Sequence, residues 1–389
     1  MSSAHSLSVS PSHGYLDHAA STPMRPEAVE AMVSLMAAPA ANPTGAHKLA
    51  RDARKVLDHA RQTVAASFDA DPGNVIFTAG GTEADNLAIL GVVGARGGVP
   101  LCSAIEHHAV LHPVEHLGGR VVGVDGRGVI DMADLDAQLD ESVSIVSVML
   151  ANNESGVVQP LGEVASLVHE KCDAVLHTDA VQAVTWLDLV THTADIDLVS
   201  ISAHKFGGPQ GVGALIVRTD IDLAPVILGG GQERERRSGT QNVAGAAAMA
   251  AALAATEAER ATMVARVAGQ RDRLIEGLRA QLAGVHESGV GEDGDRSHKV
   301  AGSAHLCFEG VDSEALLFLL ERGGLYASAA SSCASGAQEP SHVLAAMGMP
   351  RDLATGSLRL SLGSTTTDAD IDLALEIIPA AVRQLRDAS

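Results

Sequence analysis

The stretch DLVSISAHKFGGPQGVG, residues 197–213, places a lysine, Lys205, directly after a histidine, His204. An apolar run precedes the pair and a glycine-rich stretch follows it. An ammonium carried to a buried strand end is costly unless it is paired or deprotonated. Upstream, HTDAVQ carries Asp179 at the end of another apolar run. Either residue alone reads as ordinary loop chemistry, a solvated lysine or a turn aspartate. Together they are an amine and a carboxylate that two strand ends can aim at one flat ligand.

The elements that must position them are legible in outline. Apolar runs at 75–78, 100–105, 120–124, 144–150, 174–178, 197–202 and 213–217 read as strands, and amphipathic stretches at 83–94, 107–117, 132–140 and 161–171 read as helices. Such alternation predicts an α/β domain with a mainly parallel sheet, which binds ligands at the carboxyl ends of its strands. Five of these runs end in polar groups: AGGTEADN, EHHAV, ANNESGVVQP, DAVQ and AHK. One cleft along one sheet edge accounts for all five. Gly80, Gly81 and Thr82 open a helix there, and free N–H groups at a helix N-terminus cradle a phosphate. Pyridoxal phosphate needs this combination: an amine for its aldehyde, a carboxylate for its ring nitrogen and a small-residue turn for its phosphate. Beyond the sheet, 241–282 reads as one long alanine-rich helix, with at most one break. A smaller unit follows, with strands at 303–309 and 357–363 and helices at 312–322 and 368–386. The expected division is a large domain over 21–262 and a small one formed by 1–20 with 263–389.

Bulk properties narrow the class. The 389 residues are 46% hydrophobic but only 2% aromatic, so the core must be built from Ala, Val, Leu and Ile. A net charge of −21 argues against direct nucleic-acid or anionic-membrane binding. The four cysteines, Cys102, Cys172, Cys307 and Cys333, form no CxxC pair, so neither a zinc site nor a disulfide framework is expected. The serine-rich opening reads as a disordered tail, not a signal peptide, and the longest apolar stretch, 243–255, is too short to span a bilayer. A cytoplasmic location is expected.

The segments YLDHAASTP, NPTGAH, FTAGGTEADNLAI, IEHHAV, NNESGVVQP, HTDAVQ, SISAHKFGGPQGVGAL, GGGQERERRSGT and SSCASGAQEPSHVL occur in this order over nearly the whole chain. In this the sequence resembles the cysteine desulfurases of the NifS/IscS type, among the aminotransferase-like enzymes that use pyridoxal phosphate. The resemblance implies the type I fold of those enzymes, a mainly parallel seven-stranded sheet with a smaller α+β domain. It implies that Lys205 holds the cofactor aldehyde, Asp179 bonds the pyridine nitrogen, and His107 stacks on the ring and moves protons. Asn153 and Gln182 would bond the phenolic oxygen. Gly81, Thr82, Ser202 and His204 would take the phosphate, with Thr240 reaching in from a second subunit of a homodimer. Arg359 would clamp the carboxylate of L-cysteine, with Asn42 nearby. Cys333 would be the nucleophile that takes the sulfur and passes it to an acceptor protein, an iron–sulfur scaffold or a thiolation enzyme. A DNA phosphorothioation system is a further destination. The residues agree with this: Cys333 lies among Gly, Ala and Ser, whereas Cys102, Cys172 and Cys307 read as packing residues. Ala19 and Ser364 depart from the common pattern.

Three rivals remain open on sequence. A selenocysteine or cysteine-derivative lyase needs no acceptor thiol, so Cys333 speaks against it. A nucleotide-binding protein reading of GGPQGVG lacks the expected acidic residue downstream. His108, His112 and His116 are spaced for one helix face and could hold a metal, although a solvated face is the commoner meaning of such spacing.

Overall fold

The computed structural model describes residues 13–38, 41–218, 220–291, 293–329 and 341–388. Cys333 and the serine-rich opening through residue 12 lie outside these.

The chain opens with β1 (Gly14–Tyr15), then α1 (Pro26–Met36) and α2 (Lys48–Ala66). In α2, Leu57, Ala60 and Val64 are buried at helical spacing, and the His47 side chain accepts from Ala50 N at the N-cap. Strands and helices then alternate: β2 (Val75–Thr78), α3 (Gly81–Arg96), β3 (Val99–Ser103), α4 (His108–His116), β4 (Arg120–Val122), α5 (Met132–Gln138), β5 (Val143–Ser147), α6 (Leu161–Lys171), β6 (Val175–Asp179), α7 (Leu189–His192), β7 (Leu198–Ser202) and β8 (Gly213–Val217). The six strands from β2 to β7, with β8, make a seven-stranded sheet in the order β2-β8-β7-β6-β5-β3-β4. Only β8 runs antiparallel to its neighbours β2 and β7. Its reversal leaves β2 pointing the same way as the other five, so six carboxyl ends share one edge. Strands β5, β6 and β7 are almost wholly buried and rich in Val, Ile and Leu, as a sheet covered on both faces requires.

The long stretch expected to be helical is one unbroken helix, α8 (Val243–Gln281). Its alanines let α1 and α2 lie against it. Leu253 belongs to the core beneath the large sheet, whereas Met263 and Val267 belong to a second core. That second core is enclosed by β9 (Val285–Glu287), β10 (Ser303–Phe308), α9 (Ser313–Arg322), β11 (Leu325–Tyr326), β12 (Ser357–Ser361) and α12 (Asp368–Ala388), with α10 (His342–Ala346) and α11 (Arg351–Ala354) alongside. Its sheet is antiparallel, in the order β12-β10-β9. Strand β1 pairs in parallel with β11, and Leu16 is fully buried in this same core, so residues 14–16 pack into the unit that follows α8. Among the described residues, no helix is long and apolar enough to cross a membrane.

Candidate functional site

The shared sheet edge gathers the expected groups from separate strands. Asp179 ends β6, buried, with its carboxylate accepting from Val181 N at 2.8 Å. Burial pushes its carboxyl up to about 6, and the nearby Lys205 charge partly offsets this. Ser202 ends β7, and the chain turns at once through His204 to Lys205. Lys205 Nζ donates to two backbone carbonyls, Ala19 O at 2.6 Å and Ala20 O at 2.9 Å. Burial, aided by the Arg359 charge, lowers its ammonium to about 8. About a tenth of such a group is a free amine at pH 7, hundreds of times more than for an ordinary lysine. His204 reaches Ser21 Oγ at 3.4 Å, and burial followed by the Lys205 charge lowers it to about 4, so it is neutral.

At the neighbouring strand end, Gly80 has φ 152° and precedes α3 without a side-chain cap. The N–H groups of that helix end therefore have no side chain competing for them. A Cβ at Gly81 would stand 2.8 Å from Val181 Cγ2 and 3.4 Å from the Ser202 Cβ, so the turn closes tightly on β7. Gly213, on β8, supports it from behind: a Cβ there would come within 2.6 Å of the Gly80 carbonyl carbon. Thr82 is exposed in the first turn. His107 is the exposed N-cap of α4, and its Nδ1 accepts from Ala109 N at 3.1 Å. Its ring proton therefore sits on Nε2. Desolvation by the surrounding protein and then the Lys205 charge hold its pKa below the usual imidazole value.

A cavity beside Lys205 is lined by His18, Asn153, Gln182, Trp186, Arg359 and Ser364, among others. Arg359, on β12, donates Nη1 to Asn153 O and Nη2 to Asp17 Oδ1, each at 3.0 Å, and its buried Nε has no hydrogen-bond partner. Gln182 Nε2 donates to Ala19 O at 2.9 Å. Lys205, Gln182, Asn153 and Arg359 thus meet at one cavity. Asn42 does not line it. That residue is exposed, with Oδ1 accepting from Thr44 N and Oγ1. Thr240 is also exposed and lines none of this wall.

The other cysteines are where packing residues belong. Cys102 and Cys307 are buried, and burial raises both thiols, Cys307 to about 12. Cys172 is the C-cap residue of α6. The histidines sort differently from their spacing. His108 and His112 stack with centroids 4.7 Å apart, but the third ring is His342 of α10, 4.6 Å from His108. Among the described residues no group of three or more His, Cys, Asp or Glu could hold a metal ion. Sequence reasoning missed the carbonyls of Ala19 and Ala20, which as backbone acceptors leave no mark in residue type. It also missed Asp17 and Trp186, whose signal is only their place near the other motifs.

The donor set fits pyridoxal phosphate: an uncapped helix end in a turn that only glycine allows, a buried carboxylate, and a lysine with a lowered pKa. Comparison with known proteins gives the same direction. The model of the family "Aminotransferase class-V" matches residues 14–374. The chain is 42% identical to an "IscS-like cysteine desulfurase" of Mycobacterium tuberculosis, over 96% of this chain and 98% of that one. It is 38% identical to "Cysteine desulfurase IscS" of Methanosarcina thermophila, over 96% and 93%. Among solved structures it resembles a "NIFS-LIKE PROTEIN", with a TM-score of 0.87 at 31% identity, covering 96% of this chain and all of the other.

Proposed function

Since the chain belongs to the class-V aminotransferase family, with full-length relatives among the IscS-like cysteine desulfurases, we propose that it removes sulfur from L-cysteine, leaving L-alanine and a persulfide on Cys333. The observation that supports this most is Lys205, deprotonated in part by burial and held on two backbone carbonyls, opposite a buried Asp179 and beside Arg359. Pyridoxal phosphate, when bound, draws electrons away from the amino acid. The chain's own residues do the rest. Lys205 would hold the cofactor aldehyde, and its free amine would take or give a proton. Asp179 would face the ring nitrogen, and the glycine turn with Ser202 and His204 would hold the phosphate. Arg359 takes the substrate carboxylate, with Nε as its unengaged donor. His107 carries its proton on Nε2 and so can give it to the substrate. The Cys333 thiolate attacks the substrate sulfur. A sulfur–sulfur bond forms, the carbon–sulfur bond breaks, and its electron pair with a proton completes alanine.

The remaining assignments belong to the same reading. Thr240 enters the phosphate site of a second copy in a homodimer, Asn42 assists Arg359, and the large and small domains divide near residue 262. The persulfide passes to an acceptor in the cytoplasm, an iron–sulfur scaffold or a thiolation enzyme. The deciding experiment is mass spectrometry after incubation with L-cysteine, with alanine release followed in parallel. The wild type should gain the mass of one sulfur atom on the Cys333 peptide. Cys333→Ser should keep the bound cofactor's colour yet gain no sulfur and release no alanine. Sulfur on another cysteine, or undiminished alanine from Cys333→Ser, would overturn the assignment.

A further inference from the structure

Asp179 is not the only carboxyl buried below the cleft. Asp85, on the sheet-facing side of α3, is 1% exposed, and Glu106, between β3 and α4, is fully buried. Glu106 Oε1 accepts from Met149 N at 2.6 Å, while Glu106 Oε2 and Asp85 Oδ1 have no hydrogen-bond partner. Among the described residues neither carboxyl has a Lys or Arg within 4.0 Å, and Lys205 and Arg359 are both engaged elsewhere. Among the described residues the one basic group within 4.0 Å of Asp85 is His177 Nε2, at 3.6 Å. His177 is not a cation. Its two ring nitrogens are held by Ser147 Oγ at 2.8 Å and Ser200 Oγ at 2.9 Å, and burial lowers it to about 3.

We infer that Asp85 and Glu106 are positioning residues of this site, each held as a neutral carboxylic acid so that the negative charge facing the cofactor ring rests on Asp179 alone. A buried carboxylate with an empty oxygen and no cation is among the least favourable groups a protein can hold, and protonation removes the charge. Burial, then the Asp179 charge, pushes Asp85 well above the ordinary range against a hydrogen bond from Ser200, and burial pushes Glu106 well above it against the Met149 hydrogen bond, with the Asp179 charge adding to the rise. Three adjacent carboxyls cannot all ionise, and Asp179 is the one that Lys205 and a protonated ring nitrogen favour. The two neutral acids keep polar, proton-bearing groups around Asp179 without sharing its charge. The scaffold of β5, β6 and β7 that carries Ser147, His177 and Ser200 fixes where Asp85 can lie.

This inference rests on the cofactor reading, and the two fail separately. A wild-type protein that takes up no pyridoxal phosphate sinks that reading. The test of this one is the infrared spectrum of coloured holoenzyme at neutral pH, with aspartate labelled by carbon-13 in its side-chain carboxyl. One protonated-acid carbonyl band should move with the label and vanish in Asp85→Asn. A second, label-insensitive band should vanish in Glu106→Gln. Because an amide mimics a neutral acid, both variants should bind cofactor within about twofold of wild type and keep the pH midpoint of its visible absorbance. Absence of a label-sensitive acid band in coloured wild type would overturn the inference, even if Asp85→Asn does not fold. So would a midpoint displaced by about one pH unit or more in Asp85→Asn, which would mean that a charge had been removed.

Discussion

A lysine becomes a useful amine here because the fold spends backbone carbonyls on it. Ala19 O and Ala20 O solvate the Lys205 ammonium without carrying charge, so burial still wins and the pKa falls to about 8. The linkage has a definite sign. In the cofactor-free protein the folded lysine binds fewer protons than the unfolded one, whose value is 10.5. Stability should therefore rise as pH increases from about 8 to 10.5 through this group. Cofactor uptake should quicken in step with the free amine, by about fivefold between pH 7 and pH 8. Stopped-flow absorbance on apo-protein measures this, and Lys205→Ala should show no covalent uptake at any pH. Because the acceptors are carbonyls, the side chain at position 19 can vary at no cost to this contact.

Helix α3 and strand β8 show how an element is shaped by what it must leave out. Gly213 sits on β8 behind the Gly80–Gly81 turn, where a methyl group would press on the Gly80 backbone and on Ile201 O, both at 2.6 Å. Backbone atoms cannot step aside as a side chain can. Gly213→Ala should cost about 1–3 kcal/mol in urea unfolding and weaken cofactor retention more than the loss of stability alone explains. Equal losses in apo and holo forms would show that the turn does not depend on β8. The sheet strands were readable because buried parallel strands are continuous apolar runs, and the polar groups that follow mark the functional edge. Helices α1 and α2 were not read at all, although α2 is amphipathic. Strands β1 and β11 are two residues each, too short for any periodicity. Asp85 was invisible for another reason: a carboxylate four residues into a helix resembles a solvated face, and only the sheet above it shows that it is enclosed. Cys333, the proposed nucleophile, was singled out by its neighbours in sequence and lies outside the described residues.

At the scale of the molecule, the surface carries apolar groups that remain exposed among the described residues. Leu228 is 80% exposed, Met36 69% and Val33 58%, with Val226 and Ile227 beside Leu228. Exposed groups of this size are a common mark of an interface. The proposed homodimer should appear as twice the chain mass by light scattering, and Leu228→Asp should favour the monomer and loosen cofactor binding, since Thr240 lies in the same connecting segment. A monomer with unchanged cofactor affinity would separate the two. Another consequence follows from the pairing of β1 with β11 and of Asp17 with Arg359 on β12. A ribosome delivers the first partner of each pair more than 300 residues before the second. The large sheet can close while its clasp is still unmade. Ala19 and Ala20, which seat the lysine, are tethered beside Leu16, whose burial waits for the final helix. The lysine seat is therefore a non-local product of the fold, complete only once segments more than 300 residues apart in sequence have met.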